Sequence, residues 1–151
     1  LSCTGYYECD EDAEVATTLV IPYKEAGYWK MLFTGNPLGN STVMYNAGFL
    51  GKRYAPDIRK RNDVALWLAI AKEKINAVGL QEPLAVYRRR NKSLSSNKLN
   101  LVSYQWDLYR ELEKMPIPLC AAAMLSWAVV KVAKCRKTKV RVPLAKENHV
   151  N

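Results

Sequence analysis

The chain has 151 residues, of which 49% are hydrophobic and 25% are charged, and its formal net charge is +9. Its length fits one domain or a large part of one, and its apolar content excludes an intrinsically disordered chain. The positive charge predicts an anionic partner and leaves nucleic acid, phosphorylated small molecules and anionic lipid open.

Two strands, at residues 2–9 and 17–22, are predicted first, with an acidic turn between them. In this turn Asp10, Glu11 and Asp12 form the DxD pattern with which many enzymes hold a metal ion and a diphosphate. Such a site requires its acids at the end of a buried apolar strand, whereas these acids stand between YYEC and the polar AEVATT. A hairpin turn is therefore the favoured interpretation.

A short helix at residues 23–33 is followed by GNPLGNS, a cluster of turn residues, and by the strand-like TVMY. A longer helix is predicted from Asp63 to Lys74, because its apolar residues cover a broad face at helical spacing. These residues are Val64, Leu66, Trp67, Leu68, Ile70 and Ala71. The stretch PDIRKRNDVALWL places Asp63 at the start of this helix, directly after several cations.

Asp63 has two compatible interpretations. As a helix cap or first-turn residue, its carboxylate satisfies free amides and lies at the positive end of the helix, and spacing alone favours this role. Neighbouring cations such as Arg59 and Arg61 keep the carboxylate ionised at neutral pH. An ionised carboxylate can also accept the proton of an attacking hydroxyl group, which would make Asp63 a general base.

Two short strands, INAVGL and EPLAVYR, are predicted next, and they end at the arginine run 88–90. The forked donors of this run, together with Arg59 and Arg61, could bind phosphate, although a solvated charged face is the alternative. The large aromatic residues Trp67 and Trp106 are expected in the core more often than as platforms for a ligand.

A second long helix is predicted at residues 97–113, and a third follows the chain-breaking MPIP. The third, IPLCAAAMLSWAVVKVA, is nearly all apolar and runs directly into the basic KCRKTKVR. About 17 helical residues span roughly 25 Å, whereas a membrane-spanning helix needs about 20 residues to cross roughly 30 Å. An interfacial helix on an anionic membrane surface is therefore predicted, with a core helix as the alternative.

The cysteine and histidine content argues against two kinds of site. The four cysteines, at positions 3, 9, 120 and 135, form no CxxC pair, and the single histidine is His149. A structural zinc site and catalysis by a positioned histidine are therefore not expected. The sparse cysteine spacing is typical of reduced thiols in a cytoplasmic protein, and the first residues lack signal-peptide features.

Four segments, in this order and spacing, resemble the second half of family 2 glycosyltransferases. They are NPLGNSTVMY, PDIRKRNDVALWLAIAK, EPLAVYRRRNKSLSSNKL and YQWDLYRELEK. The likeness is to bacterial enzymes of cell-surface polysaccharide synthesis, including the teichuronic acid type. It implies that residues 1–115 are the C-terminal, acceptor-side half of an α/β GT-A fold, with short mixed strands and packed helices. Residues 116–151 would be an amphipathic, apolar helix and a basic membrane-proximal tail.

The resemblance also implies roles for individual residues. Asp63 matches the catalytic base, and Asn62 stands where relatives carry Glu or Gln. Arg90 falls where many relatives carry a histidine, and its charge could neutralise the departing nucleoside diphosphate. Asn36, Pro37, Ser41 and Thr42 would line the acceptor cleft. The predicted substrate-binding residues are Asn36, Ser41, Thr42, Arg59, Arg61, Asn62, Trp67, Arg88 and Arg90.

By the same resemblance, the reaction is an inverting transfer of a sugar from a nucleotide-diphosphate donor to a lipid-linked or glycan acceptor. Relatives use a divalent metal, Mg²⁺ or Mn²⁺, held by a DxD motif in the nucleotide-binding half. That half would precede Leu1, so no metal site is expected in this chain, and the chain alone is not expected to be competent. The expected location is cytoplasmic, peripheral to the inner face of the membrane, with residues 117–141 at the membrane surface.

Two further hypotheses stay open at the level of the sequence. The first is a basic module without catalytic activity that binds nucleic acid or an anionic membrane. Residues 131–146 hold seven basic side chains and no acidic one, and no recognised nucleic-acid motif is present, so nucleic acid is not the expected partner. The second is a truncated transferase without activity.

Overall fold

A computed structural model describes residues 1–11, 15–36, 38–58, 61–89, 98–133 and 137–144. The strands within these residues are β1 (Ser2–Cys9), β2 (Val15–Val20), β3 (Glu25–Ala26), β4 (Ala77–Arg88) and β5 (Lys137–Pro143). The helices are α1 (Tyr28–Thr34), α2 (Ala47–Leu50), α3 (Asn62–Lys72), α4 (Lys98–Asp107) and α5 (Ile117–Ala133). A 3₁₀ turn covers Asn40–Thr42, and a π-helical segment, Leu108–Leu112, continues α4.

The strands form one mixed sheet in the order β3-β4-β1-β2-β5. β1 is parallel to β4, and the other neighbouring pairs are antiparallel. Together with the helices, this sheet confirms the predicted α/β class with short mixed strands and packed helices.

The predicted N-terminal hairpin is present. Tyr7 of β1 lies opposite Leu19 of β2, and the register shifts between Glu8 and Cys9, where the pair forms a bulge. Asp10 and Glu11 follow β1 directly, as expected for a turn. The last acid of the DxD pattern, at position 12, lies outside the described residues.

β4 is one strand of 12 residues where the sequence predicts two short ones. Pro83 stands opposite Gly5, between the shifts of register that separate the two halves of the pairing with β1. Proline has no N–H to donate, so a bulge is one of the places where a long strand accepts it. The proline therefore offsets the register without ending the strand.

The strand predicted at TVMY is reduced to a single bridge. Met44 and Ser2 exchange backbone hydrogen bonds of 2.8 and 2.9 Å, and the neighbouring residues form no ladder. The preceding turn residues instead form the 3₁₀ turn at 40–42, which the sequence does not indicate. Strand propensity over four residues is therefore overridden by the turn that leads into them.

The core lies among the helices, with α3 as its largest contributor. The buried residues of α3 are Val64, Ala65, Trp67, Leu68, Ile70 and Ala71. They pack with Met31 and Leu32 of α1 and with Leu108 and Tyr109 of the π-helical segment. This helix is therefore held from several sides, which fixes the position of its first turn.

α5 has the bounds predicted from the sequence and divides into two apolar faces. Cys120, Ala123 and Trp127 are buried, and α5 packs against α1. On the opposite face, large apolar side chains recur at helical spacing and are exposed: Ile117, Leu125, Val129 and Val132. α5 is thus part core helix and part open apolar surface. Among the described residues, no helix combines the length and apolarity needed to cross a membrane.

Residues 137–143, which the sequence suggests to be a basic tail, form the edge strand β5. β5 pairs with β2, and the Lys137 ammonium lies 2.5 Å from the buried Glu8 carboxylate. The division of the chain at residues 115 and 116 stays a prediction. The described cysteines Cys3, Cys9 and Cys120 are buried and form no disulfide.

Candidate functional site

The first turn of α3 carries Asp63, and an unusual backbone conformation precedes it. Arg61 occupies the N-cap position with φ of 65°, in the left-handed region, and caps no amide with its side chain. The Asn62 side-chain oxygen accepts a hydrogen bond from the Asp63 N–H at 2.8 Å. Asp63 is half-buried and lies at the positive end of the helix dipole, where a carboxylate is stabilised.

The Arg61 side chain turns inward beside Asp63. Its guanidinium carbon lies 5.8 Å from the centre of the Trp127 ring on α5. Burial lowers the pKa of Arg61, while the nearby charge of Asp63 and the hydroxyl of Tyr109 oppose that shift. An arginine retains its charge at neutral pH under these conditions, so Asp63 has a cation as its neighbour. Of the neighbouring cations expected at Asp63, Arg61 is close to it, and the salt-bridge cluster itself stays a prediction.

Two buried donors of this cluster have no hydrogen-bond partner. They are the Nε of Arg61 and the Nε1 of Trp127, and the Oε1 of the buried Gln105 is likewise an acceptor without a donor. Tyr109 completes the cluster by donating to the Leu32 carbonyl at 2.6 Å. Polar atoms of this kind are costly to bury, so the cluster beneath Asp63 is more polar than the surrounding core.

Trp67 lies one helical turn after Asp63 and links α3 to the 3₁₀ turn. It is only 8% exposed, as expected for a core residue. Its indole N–H donates to the Asn40 side-chain oxygen at 3.3 Å, and its ring lies 6.4 Å from that of Tyr45. Trp67 therefore positions the turn, and its contact with a substrate stays a prediction.

The acceptor-cleft residues predicted from the resemblance fall into different environments. Thr42 is buried and tied to β1, because its hydroxyl accepts from the Thr4 N–H at 3.3 Å and lies within 3.2 Å of the Thr4 carbonyl. Ser41 is exposed beside it. Asn36, with φ of 24°, accepts from the Leu38 N–H at 3.2 Å. Ser41 is thus exposed, Asn36 is half-buried and Thr42 is the least accessible of the three.

Arg88 lies at a distance from Thr42, one of the predicted cleft residues. Arg88 ends β4 opposite Cys9, whereas Thr42 joins Thr4, so the two positions are separated by roughly 16 Å along β1. The neighbouring Arg89 lies 3.9 Å from the Glu8 carboxylate. Arg59 and Arg90, like Pro37, lie outside the described residues.

The other end of α3 is braced by a buried carboxylate. Glu113 lies 2.8 Å from the Lys72 ammonium and accepts a hydrogen bond of 2.5 Å from the Tyr28 hydroxyl. Burial, followed by the bond to Glu113, raises the pKa of Tyr28, so the phenol stays protonated as a donor. α3 is therefore fixed at both ends, and Asp63 is held by a rigid element.

The arrangement can support general-base chemistry at Asp63, with a cation beside the carboxylate and a fixed helix beneath it. Sequence reasoning missed Asn40 and Trp127. Asn40 could have been noted as a turn residue with a side chain free to accept, whereas nothing local links Trp127 to Arg61. Within the described ranges, no three Cys, Asp, Glu or His side chains lie together as a metal site.

A comparison with known proteins relates the chain to a glycosyltransferase. TuaG of Bacillus subtilis (strain 168), named as a teichuronic acid biosynthesis glycosyltransferase, is 37% identical to the chain over 97 residues. This identity supports a relationship to glycosyltransferases of cell-surface polysaccharide synthesis. The predicted resemblance is confirmed at that level.

The match to TuaG is partial. The 97 residues make up 64% of this chain and 36% of TuaG, so the chain spans about a third of the relative that it matches. No family model matches the chain. No solved structure matches it either. The GT-A half and the assignment to family 2 therefore stay predictions.

Proposed function

We propose that this chain is the acceptor-side part of an inverting glycosyltransferase of cell-surface polysaccharide synthesis. The observation that carries the proposal is Asp63, a half-buried carboxylate in the first turn of a fixed helix, with Arg61 beside it. The similarity to TuaG supports the reaction class.

In this proposal Asp63 accepts the proton of the acceptor hydroxyl as that oxygen attacks the anomeric carbon of the donor sugar. One carboxylate suffices, because a single displacement inverts the anomeric centre and needs no covalent intermediate. Asn62 shares the first turn and holds the Asp63 backbone through its amide oxygen. Its side chain is exposed and is available to orient the acceptor.

The donor would be a nucleotide-diphosphate sugar, and the acceptor a lipid-linked or other glycan. The divalent metal of such a reaction would be held by a DxD motif in a nucleotide-binding half that this chain does not supply. Arg88 and Arg90 are the proposed contacts for the departing diphosphate, since a guanidinium can donate to two phosphate oxygens at once. This chain alone is then not expected to catalyse transfer.

Substitution of Asp63 in the full transferase tests the proposal. Asp63→Asn keeps the size of the side chain but removes the base, so transfer should fall by about 10²- to 10⁴-fold while donor binding stays near normal. Asp57→Asn is the matched control, because Asp57 is an exposed carboxylate of the preceding loop. Turnover in Asp63→Asn close to that of the control would refute the assignment of the base.

We also propose that the open face of α5 docks on an anionic membrane surface, where lipid-linked acceptors would be presented. Leu125 and Val132 are 68% and 83% exposed on this face. Lys139 and Arg141 are exposed on β5, which follows α5 closely, and each cation near anionic lipid contributes about 1 kcal/mol. Apolar burial and cationic attraction together are the usual basis of interfacial binding, and vesicle binding tests the proposal.

A further inference from the structure

The loop at residues 44–54, which we term the aromatic loop, exposes an unusual amount of ring surface. Phe49 is 80% exposed and Tyr54 is 75% exposed. Met44, at the start of the loop, is exposed as well. Single exposed apolar residues are common on protein surfaces, but two open rings and a methionine on one short loop indicate a contact surface.

The aromatic loop is held in place by its own hydrogen bonds. The Asn46 side chain accepts from the Phe49 N–H at 3.1 Å and so caps α2. The Arg53 N–H donates to the Tyr45 hydroxyl at 3.2 Å, and the Arg53 Nε donates to the Leu50 carbonyl at 2.8 Å. The rings of Phe49 and Tyr54 are therefore presented by a braced loop.

Both ends of the aromatic loop are attached to α3, the helix that carries Asp63. The Tyr45 ring packs against Trp67, which lies about 6 Å along the helix axis from Asp63. Arg53 forms a forked pair with Glu73, immediately after α3, through two contacts of 2.9 Å. The loop thus lies alongside the element that bears the proposed base.

We propose that Phe49 and Tyr54 are stacking platforms for sugar rings of the acceptor glycan. One face of a pyranose presents C–H bonds, and these carry partial positive charge that suits the negative face of an aromatic ring. The Lys52 ammonium lies 5.3 Å from the centre of the Tyr54 ring, and its N–H groups can donate to hydroxyl or carboxylate oxygens of the same sugar.

A glycan fits this surface better than a lipid bilayer or a second protein. Phe49 and Tyr54 stand on either side of Gly51 in the chain, where a φ of 71° turns the backbone and the space around the glycine is open. The cation Lys52 lies beside the Tyr54 ring. Two exposed rings with a cation beside one of them match the C–H faces and the polar edges of an oligosaccharide. The inference deepens the proposed function and rests on it for the identity of the acceptor.

Oligosaccharide binding to the full 151-residue chain tests this inference. The probes are a chitin tetrasaccharide, which is neutral, and a hyaluronan tetrasaccharide, which carries glucuronic acid. Saturation-transfer NMR and titration of amide shifts report contact and affinity. We expect at least one probe to bind, and the double variant Phe49→Ala/Tyr54→Ala to weaken that binding by about tenfold or more.

Trp29→Ala is the matched control, since Trp29 is an exposed aromatic residue that belongs to α1 and not to the aromatic loop. It should leave the affinity unchanged, and circular dichroism checks that all variants fold. Absence of binding by both probes, or equal affinity in the double variant and the wild type, would overturn the inference.

The test also separates this inference from the proposed base. Asp63→Asn is measured by transfer in the full transferase, whereas Phe49→Ala/Tyr54→Ala is measured by tetrasaccharide binding. If Asp63→Asn loses transfer but the double variant binds the tetrasaccharides normally, only the stacking role of Phe49 and Tyr54 is refuted. If Asp63→Asn transfers normally but the double variant binds more weakly, only the role of Asp63 as the base is refuted.

Discussion

The helices α3 and α5 have similar apolar sequences but different surroundings. α3 buries six of its 11 residues among several neighbouring elements. α5 buries three of its 17 residues, and an open apolar face is formed by Ile117, Leu125, Val129 and Val132. An apolar sequence therefore indicates a helix with a face to be buried. It does not indicate whether that face is buried by the same chain or by another surface.

The difference corresponds to different proposed tasks. A proton acceptor works best on a rigid support, and α3 supplies one for Asp63 through its enclosed face and the Lys72–Glu113 pair. An interfacial helix needs an exposed apolar surface that stays intact when the protein leaves the membrane. α5 meets this requirement because its inner face, with Trp127 and Cys120, is anchored in the fold.

The largest expected effect is on the free energy of unfolding, when one leucine in each helix is truncated to alanine. Leu68→Ala, in the enclosed face of α3, should lower the free energy of unfolding by about 2–5 kcal/mol, because it leaves a cavity in the core. Leu125→Ala, on the open face of α5, should change it by about 0.5 kcal/mol or less. Urea denaturation measures both. Similar losses in the two variants would mean that the α5 face is covered by this protein in solution.

A smaller effect is expected on membrane binding. The double variant Leu125→Glu/Val129→Glu places charges on the open face of α5 and should weaken binding to phosphatidylglycerol vesicles by about tenfold or more. Val102→Glu, at an exposed apolar position of α4, is the control and should bind as the wild type does. Unchanged affinity in the double variant, measured by cosedimentation, would exclude α5 as the docking surface.

The smallest expected effect is on the pH dependence of the free energy of unfolding, through Tyr109, which is buried in the core together with α3. Burial raises the pKa of Tyr109 to about 12, above the value of about 10 in an unfolded chain. The folded state therefore holds this proton more tightly, and the resulting stability is present below about pH 10 and lost as the pH rises toward about 12. Tyr109→Phe cannot titrate, so its free energy of unfolding should fall less between about pH 9 and about pH 11.

Denaturant titrations at the two pH values measure this difference. At neutral pH, Tyr109→Phe should also cost about 1 kcal/mol, because the hydrogen bond to the Leu32 carbonyl is lost. If the free energy of unfolding of Tyr109→Phe falls with rising pH as steeply as that of the wild type, Tyr109 does not contribute to the pH dependence.

Sequence reasoning located the regular elements well where the pattern is local. The α3 helix follows from apolar residues at helical spacing, and the β1–β2 hairpin follows from two strand-like segments around an acidic turn. It failed at TVMY, where the preceding turn limits pairing to Met44, and at Pro83, where a bulge carries one strand past a residue that usually ends it.

For the site, the sequence indicated Asp63 and its cationic neighbours, because a carboxylate after a basic run at a helix start is visible in the chain itself. The sequence could not indicate that Arg61 packs on Trp127 or that Asn40 holds Trp67. These contacts join residues that are far apart in the chain, and no local periodicity encodes them.

The sequence by itself determined the α/β class, the bounds of α5 and the place of Asp63 in a first helical turn. The tertiary structure decided which face of α5 is covered, and it made an edge strand of the basic segment that contains Lys137. The physical reason is that local spacing sets helices and strands, whereas burial and pairing depend on which distant surfaces meet. Lys137 belongs to the sheet because β5 pairs with the edge of β2 and because the Lys137 ammonium forms an ion pair with the buried Glu8.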